Sequence, residues 1–198
     1  MLNALIEAFS GPGAAFMYAI TAVLAFGLAV GLERCWMYWF KWRIDEVGLL
    51  DLVNKQQFEQ AESTASAHPV VHVLRAGTQE ENPLAVWDAM GSEAALVDAK
   101  IRQRVPYLAS VGNISTMLGL LGTVYGLIIA LQGLSDSSAI ERTTRLSEGI
   151  ATAMATTAWG LLVGIPALAL HAFLDAKSQR SLALCEAVAS RIAAQRKG

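Results

Sequence analysis

Three long stretches of the chain are apolar and contain no charged side chain. They run from Ala8 to Leu32, from Val105 to Ser135 and from Gly149 to Leu174, without a single Asp, Glu, Lys or Arg. A helix rises about 1.5 Å per residue, so about 20 apolar residues cross the hydrocarbon core of a bilayer. Each stretch exceeds that length, and the pattern therefore predicts three transmembrane helices.

The polar segment between the first two spans is predicted to be helical. From Ile44 to Arg104, apolar residues recur among charged ones at loose helical spacing, with no strand-like alternation. His68-Pro69 is expected to end one helix, and a short piece from Val70 should stop at Gly77. Asn82-Pro83 should start another helix, with Asn82 as N-cap and Pro83 in the first helical position. This insert contains few aromatic residues, so we expect it to pack on extensions of the membrane helices rather than form its own core.

The fold class predicted from these patterns is an all-α membrane protein with three transmembrane helices and long cytoplasmic helical extensions. The predicted segments are an N-terminal segment with the first span (1–43), a cytoplasmic helical insert (44–104), the second span (105–135), a periplasmic loop (136–148), the third span (149–174) and a cytoplasmic C-terminal helix (175–198).

The distribution of Lys and Arg predicts which side of the membrane each segment occupies. Basic residues follow the first span, precede the second and follow the third, whereas the short 136–148 connection mixes both signs. Trp36, Trp39 and Trp42 form an aromatic belt beside the first basic cluster. The positive-inside rule then places the insert and the C-terminus in the cytoplasm and the N-terminus outside.

Composition and motifs argue against several classes of function. Hydrophobic residues make up 54% of the chain and charged residues 16%, and the net charge of −2 offers no basic field for nucleic acid. Cys35 and Cys185 fall on the reducing side and are interpreted as packing residues. His68 and His72 have a metal-ligand spacing, but Pro69 separates them and no third ligand is evident. With no phosphate-binding loop and no nucleophile–base pair, we expect neither an enzyme nor a cofactor.

Small residues form a stripe along each of the last two spans. Such stripes let helix backbones approach closely in lipid, where packing drives association. We expect these two helices to pack on each other or on copies of themselves. The predicted packing residues are Gly112, Gly119, Gly122, Gly126, Gly160, Gly164 and Pro166.

Four threonines are the candidate residues for a polar pathway at membrane depth. They are Thr123, Thr152, Thr156 and Thr157. The hydroxyl of a single membrane threonine usually bonds a backbone carbonyl of its own helix, one turn back. Four threonines on two helices that each present a face of small residues make it more favourable that some of them line a polar pathway. Hydroxyls do not titrate near neutral pH, and the spans contain no carboxylate. A proton pathway would therefore need a carboxylate from a partner. His171 is read either as a proton-exit group or as an interfacial packing residue.

Two motifs in the last two spans resemble the MotA/TolQ/ExbB proton-channel family, and the match is closer to its TolQ/ExbB branch. The first is Gly119-Leu120-Leu121-Gly122-Thr123-Val124-Tyr125-Gly126, and the second is Thr156-Thr157-Ala158-Trp159-Gly160-Leu161 followed by Ile165-Pro166-Ala167. The topology and the large insert also fit.

The resemblance implies a homopentamer in the bacterial inner membrane whose second and third helices line a pore. A dimeric, single-span partner similar to ExbD or TolR would place an Asp in that pore, facing Thr123 and Thr157. Proton flow down the proton-motive force would then drive motion delivered to a periplasmic effector, of the Ton, Tol or gliding type. Relatives commonly have Glu five residues before the second threonine, where this chain has Thr152 and the nearest Glu is Glu148.

Two other interpretations remain open from the sequence. One is a purely structural three-span scaffold whose glycine stripes serve assembly alone. The other is a half-size transporter that binds a solute between protomers, which predicts broken helices and a charged midplane site. Pro166 is a candidate kink, but no charged residue accompanies it.

Overall fold

The computed structural model describes residues 9–80, 82–135 and 138–197, and every regular element in those ranges is a helix. Three helical stretches are long and apolar enough to cross a membrane, at Ala14–Lys41, Ala85–Gly133 and Ala139–Gln195, so the expectation of three candidate spans is confirmed. The elements are α1 (Ala14–Trp36), a π-helical turn (Met37–Lys41), α2 (Glu46–Asn54), α3 (Phe58–Thr64), α4 (Val70–Gln79), α5 (Pro83–Arg102), α6 (Val105–Gly133) and α7 (Ala139–Lys197).

Prolines and glycines set the helix boundaries much as the sequence indicates. Helix α1 begins directly after Gly11-Pro12-Gly13, and Pro83 is the first residue of α5. Helix α4 passes through Gly77 and ends two residues later than expected, at Gln79. The turn between α5 and α6 contains Arg104 with φ of 66°. Arg104 lies two residues before Pro106, whose ring would clash with a carbonyl four residues back in a continuous helix.

The segment expected to be a periplasmic loop is helical from Ala139 onward. The hydroxyls of Thr143 and Thr144 donate to the carbonyls of Ala139 and Ile140, at 2.9 Å each. These bonds lie within the helix and leave its backbone ladder intact. Helix α7 continues through Pro166, which does not end it.

The chain divides into two compact units, each described separately here. The span unit comprises Met1–Gly31 and Pro106–His171, and the insert unit comprises Leu32–Val105 and Ala172–Gly198. In the span unit, α1 contacts both other helices. A Cβ at Gly27 would lie 2.8 Å from Val111 of α6, and one at Gly31 would lie 2.8 Å from Leu170 of α7. The Trp159 indole also donates to the Thr21 hydroxyl at 3.2 Å.

The insert unit has a hydrophobic core built from α2 to α5 and the last part of α7. Leu49, Val73, Met90 and Ile192 are fully or almost fully buried. Side chains of α7 also bond the end of α2, where Gln195 donates to the Val53 carbonyl at 3.0 Å. The expectation that the insert packs on a helix extension is confirmed for the extension of the third span.

Candidate functional site

Helices α6 and α7 approach so closely that their backbones touch along the two glycine stripes. A Cβ at Gly126 would lie 2.6 Å from both the Ala153 nitrogen and the Gly149 carbonyl oxygen. A Cβ at Gly149 would lie 2.5 Å from the Ala130 nitrogen. Real Cβ atoms do not approach backbone so closely, and only glycine fits at these positions.

The same contact continues along the helix pair toward the start of α6 and the later part of α7. A Cβ at Gly160 would lie 2.7 Å from the Ser115 carbonyl oxygen, and one at Gly119 would lie 3.2 Å from the Gly160 Cα. Gly112 faces Leu168 and Gly164 in the same way. The stripes therefore pair with each other inside one protomer, which was one of the two arrangements expected.

Two of the four predicted pathway threonines are buried in this packing. Thr156 is fully buried, and its hydroxyl donates to the Thr152 and Ala153 carbonyls at 2.9 and 3.1 Å. Its Cβ and Oγ1 fill the space beside Gly122. Thr152 is 7% exposed, and its methyl group lies against Gly13. Both side chains act as packing groups within the protomer.

The other two threonines keep part of their surface accessible. Thr157 is half-buried, and its hydroxyl donates across the helix pair to the Gly119 carbonyl at 3.3 Å. Thr123, one turn further along α6, is half-buried and bonds the Leu120 carbonyl of its own helix at 2.6 Å. The Thr157 bond is long for a hydroxyl donor, so water or a carboxylate could replace its acceptor at low cost.

Most of the surface around these two threonines is apolar. Large hydrophobic side chains of α6 and α7 are exposed there, including Leu120, Val124, Met154 and Leu161. In a membrane, an apolar surface of this kind is covered by lipid or by other helices. An isolated hydroxyl in such a surface presents a hydrogen-bonding group where the surroundings offer few others.

The start of α7 carries a hydroxyl-rich shallow cavity of about 600 Å³ near Glu148. Its lining consists of Thr143, Thr144, Ser147, Glu148 and Ala151. Glu148 is exposed, whereas Thr152 one turn later is buried. The structure thus provides no room for a carboxylate at position 152 without repacking against Gly13.

Two further polar groups are buried. Ser115 is fully buried in α6, and its hydroxyl has no hydrogen-bond partner among the described residues. Arg34 is 2% exposed in the insert unit, and its Nε and Nη1 likewise have none within the described ranges. The only signal for Arg34 was its place among basic residues, which pointed to the membrane surface rather than to burial.

Comparison with known proteins defines the class of this three-span helical chain. Residues 65–187 match the model of the MotA/TolQ/ExbB proton channel family, and the chain belongs to that family. The matched region includes α4, α5 and α6 and most of α7. It covers both glycine stripes and all four threonines.

The relatives carry names from the branch that the motifs indicated. The chain is 35% identical over 136 residues to the biopolymer transport protein exbB1 of Vibrio cholerae, covering 67% of this chain and 59% of the relative. It is 35% identical over 82 residues to the Tol-Pal system protein TolQ of Pseudomonas aeruginosa, covering 41% and 35%. It is 32% identical over 94 residues to the biopolymer transport protein ExbB of Aquifex aeolicus, covering 48% and 63%. The chain thus spans between about a third and two thirds of these relatives.

Proposed function

We propose that this chain is the ring subunit of a stator complex in the bacterial inner membrane, driven by the proton-motive force. In this proposal five copies surround the membrane helices of a dimeric, single-span partner similar to ExbD or TolR. Each partner helix supplies an Asp, and proton flow through the pore produces motion that reaches a periplasmic effector of the Ton, Tol or gliding type. Membership of the proton channel family and three apolar helices support this proposal.

The proposed pathway uses Thr123 and Thr157 and assigns Thr152 and Thr156 to packing. This choice rests on a difference in burial and hydrogen bonding between Thr156 and Thr157, which are neighbours on α7. Thr157 is half-buried with one long bond to Gly119, whereas Thr156 is fully buried with two bonds to its own helix. A hydroxyl can pass a proton only if water or an acid reaches it. The partly accessible surface of Thr157 is compatible with that condition, whereas Thr156 is fully buried.

Electrostatics explains why the proposal assigns the titrating carboxylate to the partner and the hydroxyl groups to this chain. No Asp or Glu lies in 105–135 or 149–174, so the titrating group comes from the partner. Protonating the partner's Asp removes a charge that is costly in an apolar environment, which frees the helix to move past apolar side chains of the ring. One proton crossing 100 mV releases about 2.3 kcal/mol, so a few protons per step supply useful work.

The first test is purification of this chain from native membranes in a mild detergent, with mass spectrometry of the retained proteins. A co-purifying single-span protein with an Asp in its span, in a complex with five copies of this chain, supports the proposal. Recovery of the chain alone, under conditions that preserve other membrane complexes, favours the structural scaffold instead.

The second test measures proton flux through the reconstituted complex with Thr→Val variants. Thr123→Val and Thr157→Val remove a hydroxyl while preserving shape, and the loss of a hydrogen bond to a charged group predicts about 10- to 100-fold lower flux. Thr156→Val is the matched control on the adjacent residue, with flux expected to stay near wild type. Full flux in both Thr123→Val and Thr157→Val, with assembly intact, shows that the pore assignment is wrong.

A further inference from the structure

The insert unit contains a polar cavity that the proposed proton pathway does not use. Its volume is about 190 Å³, well above the roughly 10–15 Å³ that a single water requires. Its floor consists of the buried side chains Tyr38, Trp42 and His68. Its rim consists mainly of exposed charged residues from the end of the first span and from α7.

His68 supplies a hydrogen-bonding atom without a partner on the floor of the cavity. The residue is 3% exposed, and its Nδ1 accepts the backbone N–H of Val70 at 3.1 Å. Because Nδ1 is the acceptor, the neutral ring carries its hydrogen on Nε2. That Nε2–H makes no hydrogen bond to the described residues, although the ring edge packs against Trp42. The Nε2–H is therefore available to a ligand or a water in the cavity that His68 lines.

The rim carries three cations against one carboxylate. Arg43, Lys177 and Arg180 line the cavity, and none of them forms a salt bridge with the residues that the structure describes. Glu46 is the carboxylate, and the Ser181 hydroxyl adds another donor. This excess of donors and positive charge suits an anion with several acceptor oxygens.

We expect the residues around the cavity to lie at the depth of the lipid headgroups. Trp42 follows Trp36 and Trp39 at the end of the first apolar helix, and such aromatic belts lie at the membrane–water interface. The ammonium group of Lys177 lies 5.7 Å from the centre of the exposed Trp39 ring. A cation held on a belt tryptophan is placed where a lipid phosphate passes.

From these contacts we infer that the cavity between the end of the first span and the start of the α7 extension binds a negatively charged phosphate group, either of an anionic lipid headgroup or of a soluble phosphate ester. Arg43, Lys177 and Arg180 neutralise the phosphate, and the His68 Nε2–H and the Ser181 hydroxyl donate to its oxygens. The site is independent of the proton pathway, because it uses none of the threonines of α6 and α7.

Native mass spectrometry of the full chain in mild detergent, with any partner that co-purifies, tests this site. The probes are phosphatidylglycerol, phosphatidylcholine and soluble glycerol 3-phosphate. The wild type should retain phosphatidylglycerol in preference to phosphatidylcholine. Lys177→Gln/Arg180→Gln should weaken that retention about 25-fold, at about fivefold per basic residue. Ser181→Trp keeps every charge but fills the cavity, and it should lower retention as well.

Lys100→Gln/Arg142→Gln is the matched control, because it removes the same two residue types at exposed positions outside the cavity. Wild-type retention in this control supports the site, and an equal loss there overturns it in favour of general surface charge. Unchanged retention in Lys177→Gln/Arg180→Gln also overturns it. If glycerol 3-phosphate binds and displaces the lipid with the same variant pattern, the site stands and its ligand is the soluble ester.

Discussion

At the scale of single residues, Gln56 adopts a conformation that normally belongs to glycine. Its φ is 58°, at the end of α2. The N–H of Gln56 bonds the Val53 carbonyl at 3.1 Å, and the N–H of Gln57 bonds the Leu52 carbonyl at 3.0 Å. This pair of bonds is a Schellman motif, in which the left-handed residue is usually glycine. Gln56 therefore carries a strain that its exposed side chain does not offset.

Gln56→Gly should stabilise the insert unit by about 1 kcal/mol, because the left-handed conformation costs a side-chain-bearing residue about 1–2 kcal/mol. Heat unfolding in a single detergent measures the difference. Gln57→Gly is the control, since Gln57 has φ of −87° and needs no glycine. The strain argument is wrong if both substitutions change the melting temperature in the same direction.

His68 makes the insert unit sensitive to acid. Burial lowers the pKa of His68 from 6.5 to about 4. The unfolded chain therefore takes up the proton first as pH falls, so the stabilisation is complete above pH 6.5 and is lost progressively toward pH 4. Protonation of Nδ1 also breaks the bond from Val70. Glu46 lines the same cavity as the cations Arg43, Lys177 and Arg180, and the cations oppose a charged imidazole.

Between pH 7 and pH 5 the insert unit should lose about 2 kcal/mol of stability through this one group. Hydrogen exchange of the α4 and α5 amides at the two pH values measures the loss. His68→Asn retains an acceptor for the Val70 N–H but does not titrate, so this variant should show a clearly smaller change. An equal change in the variant assigns the acid sensitivity to other groups.

The sequence predicts four threonines as pathway candidates but not the direction in which each side chain points. Thr156 and Thr157 are neighbours in one motif. The family resemblance selects Thr157, but residue spacing alone does not show which of the two side chains is buried. They point about 100° apart on a helix, and which one is buried depends on how α7 is rotated against α6. That rotation is set by backbone contacts such as Gly122 against Thr156, which form only in the folded pair.

At the scale of the elements, the pairing of α6 and α7 depends on glycines that have no room for a side chain. Gly126→Ala places a methyl group against the backbone of Gly149 and Ala153, and backbone atoms cannot rotate aside. Overpacking of this kind costs about 1–3 kcal/mol. By contrast, a Cβ at Gly91 of α5 would meet nothing within 4 Å.

Gly126→Ala should therefore destabilise the protein by about 1–3 kcal/mol, whereas Gly91→Ala should stabilise it by roughly 0.5–1 kcal/mol. Chemical unfolding in a fixed detergent, followed by circular dichroism, compares the two variants. The same Gly→Ala substitution is thus expected to lower the stability of the protein in α6 and to raise it in α5. If Gly126→Ala is neutral, the close backbone contact is absent from the protein in solution.

The helices themselves were more predictable than the way they pair. Apolar length predicts three candidate spans, and Pro83 is the first residue of α5, as predicted. The early start of α7 at Ala139 was not predicted, because residues 139–148 are polar and follow a span. A polar segment forms a helix when it continues one that is already nucleated, since propagation adds a bond per residue at little cost.

At the scale of the whole molecule, charged residues are distributed unevenly between the two units. The stretches 8–32, 105–135 and 149–174 hold no charged residue, and they contribute most of the span unit. The insert unit holds most of the basic side chains, and several of them line the cavity with the His68 floor. A bilayer imposes this partition, because charges are costly in hydrocarbon and basic residues remain on the cytoplasmic side.

This partition predicts the orientation of the chain in the membrane. Position 143 near the start of α7 should face the periplasm, and position 103 between α5 and α6 should face the cytoplasm. Thr143→Cys and Gln103→Cys, each in a background with Cys35→Ser and Cys185→Ser, place single thiols at exposed positions. A membrane-impermeant maleimide should label position 143 in intact cells and position 103 only after the inner membrane is permeabilised. Labelling in the reverse order would contradict the predicted orientation.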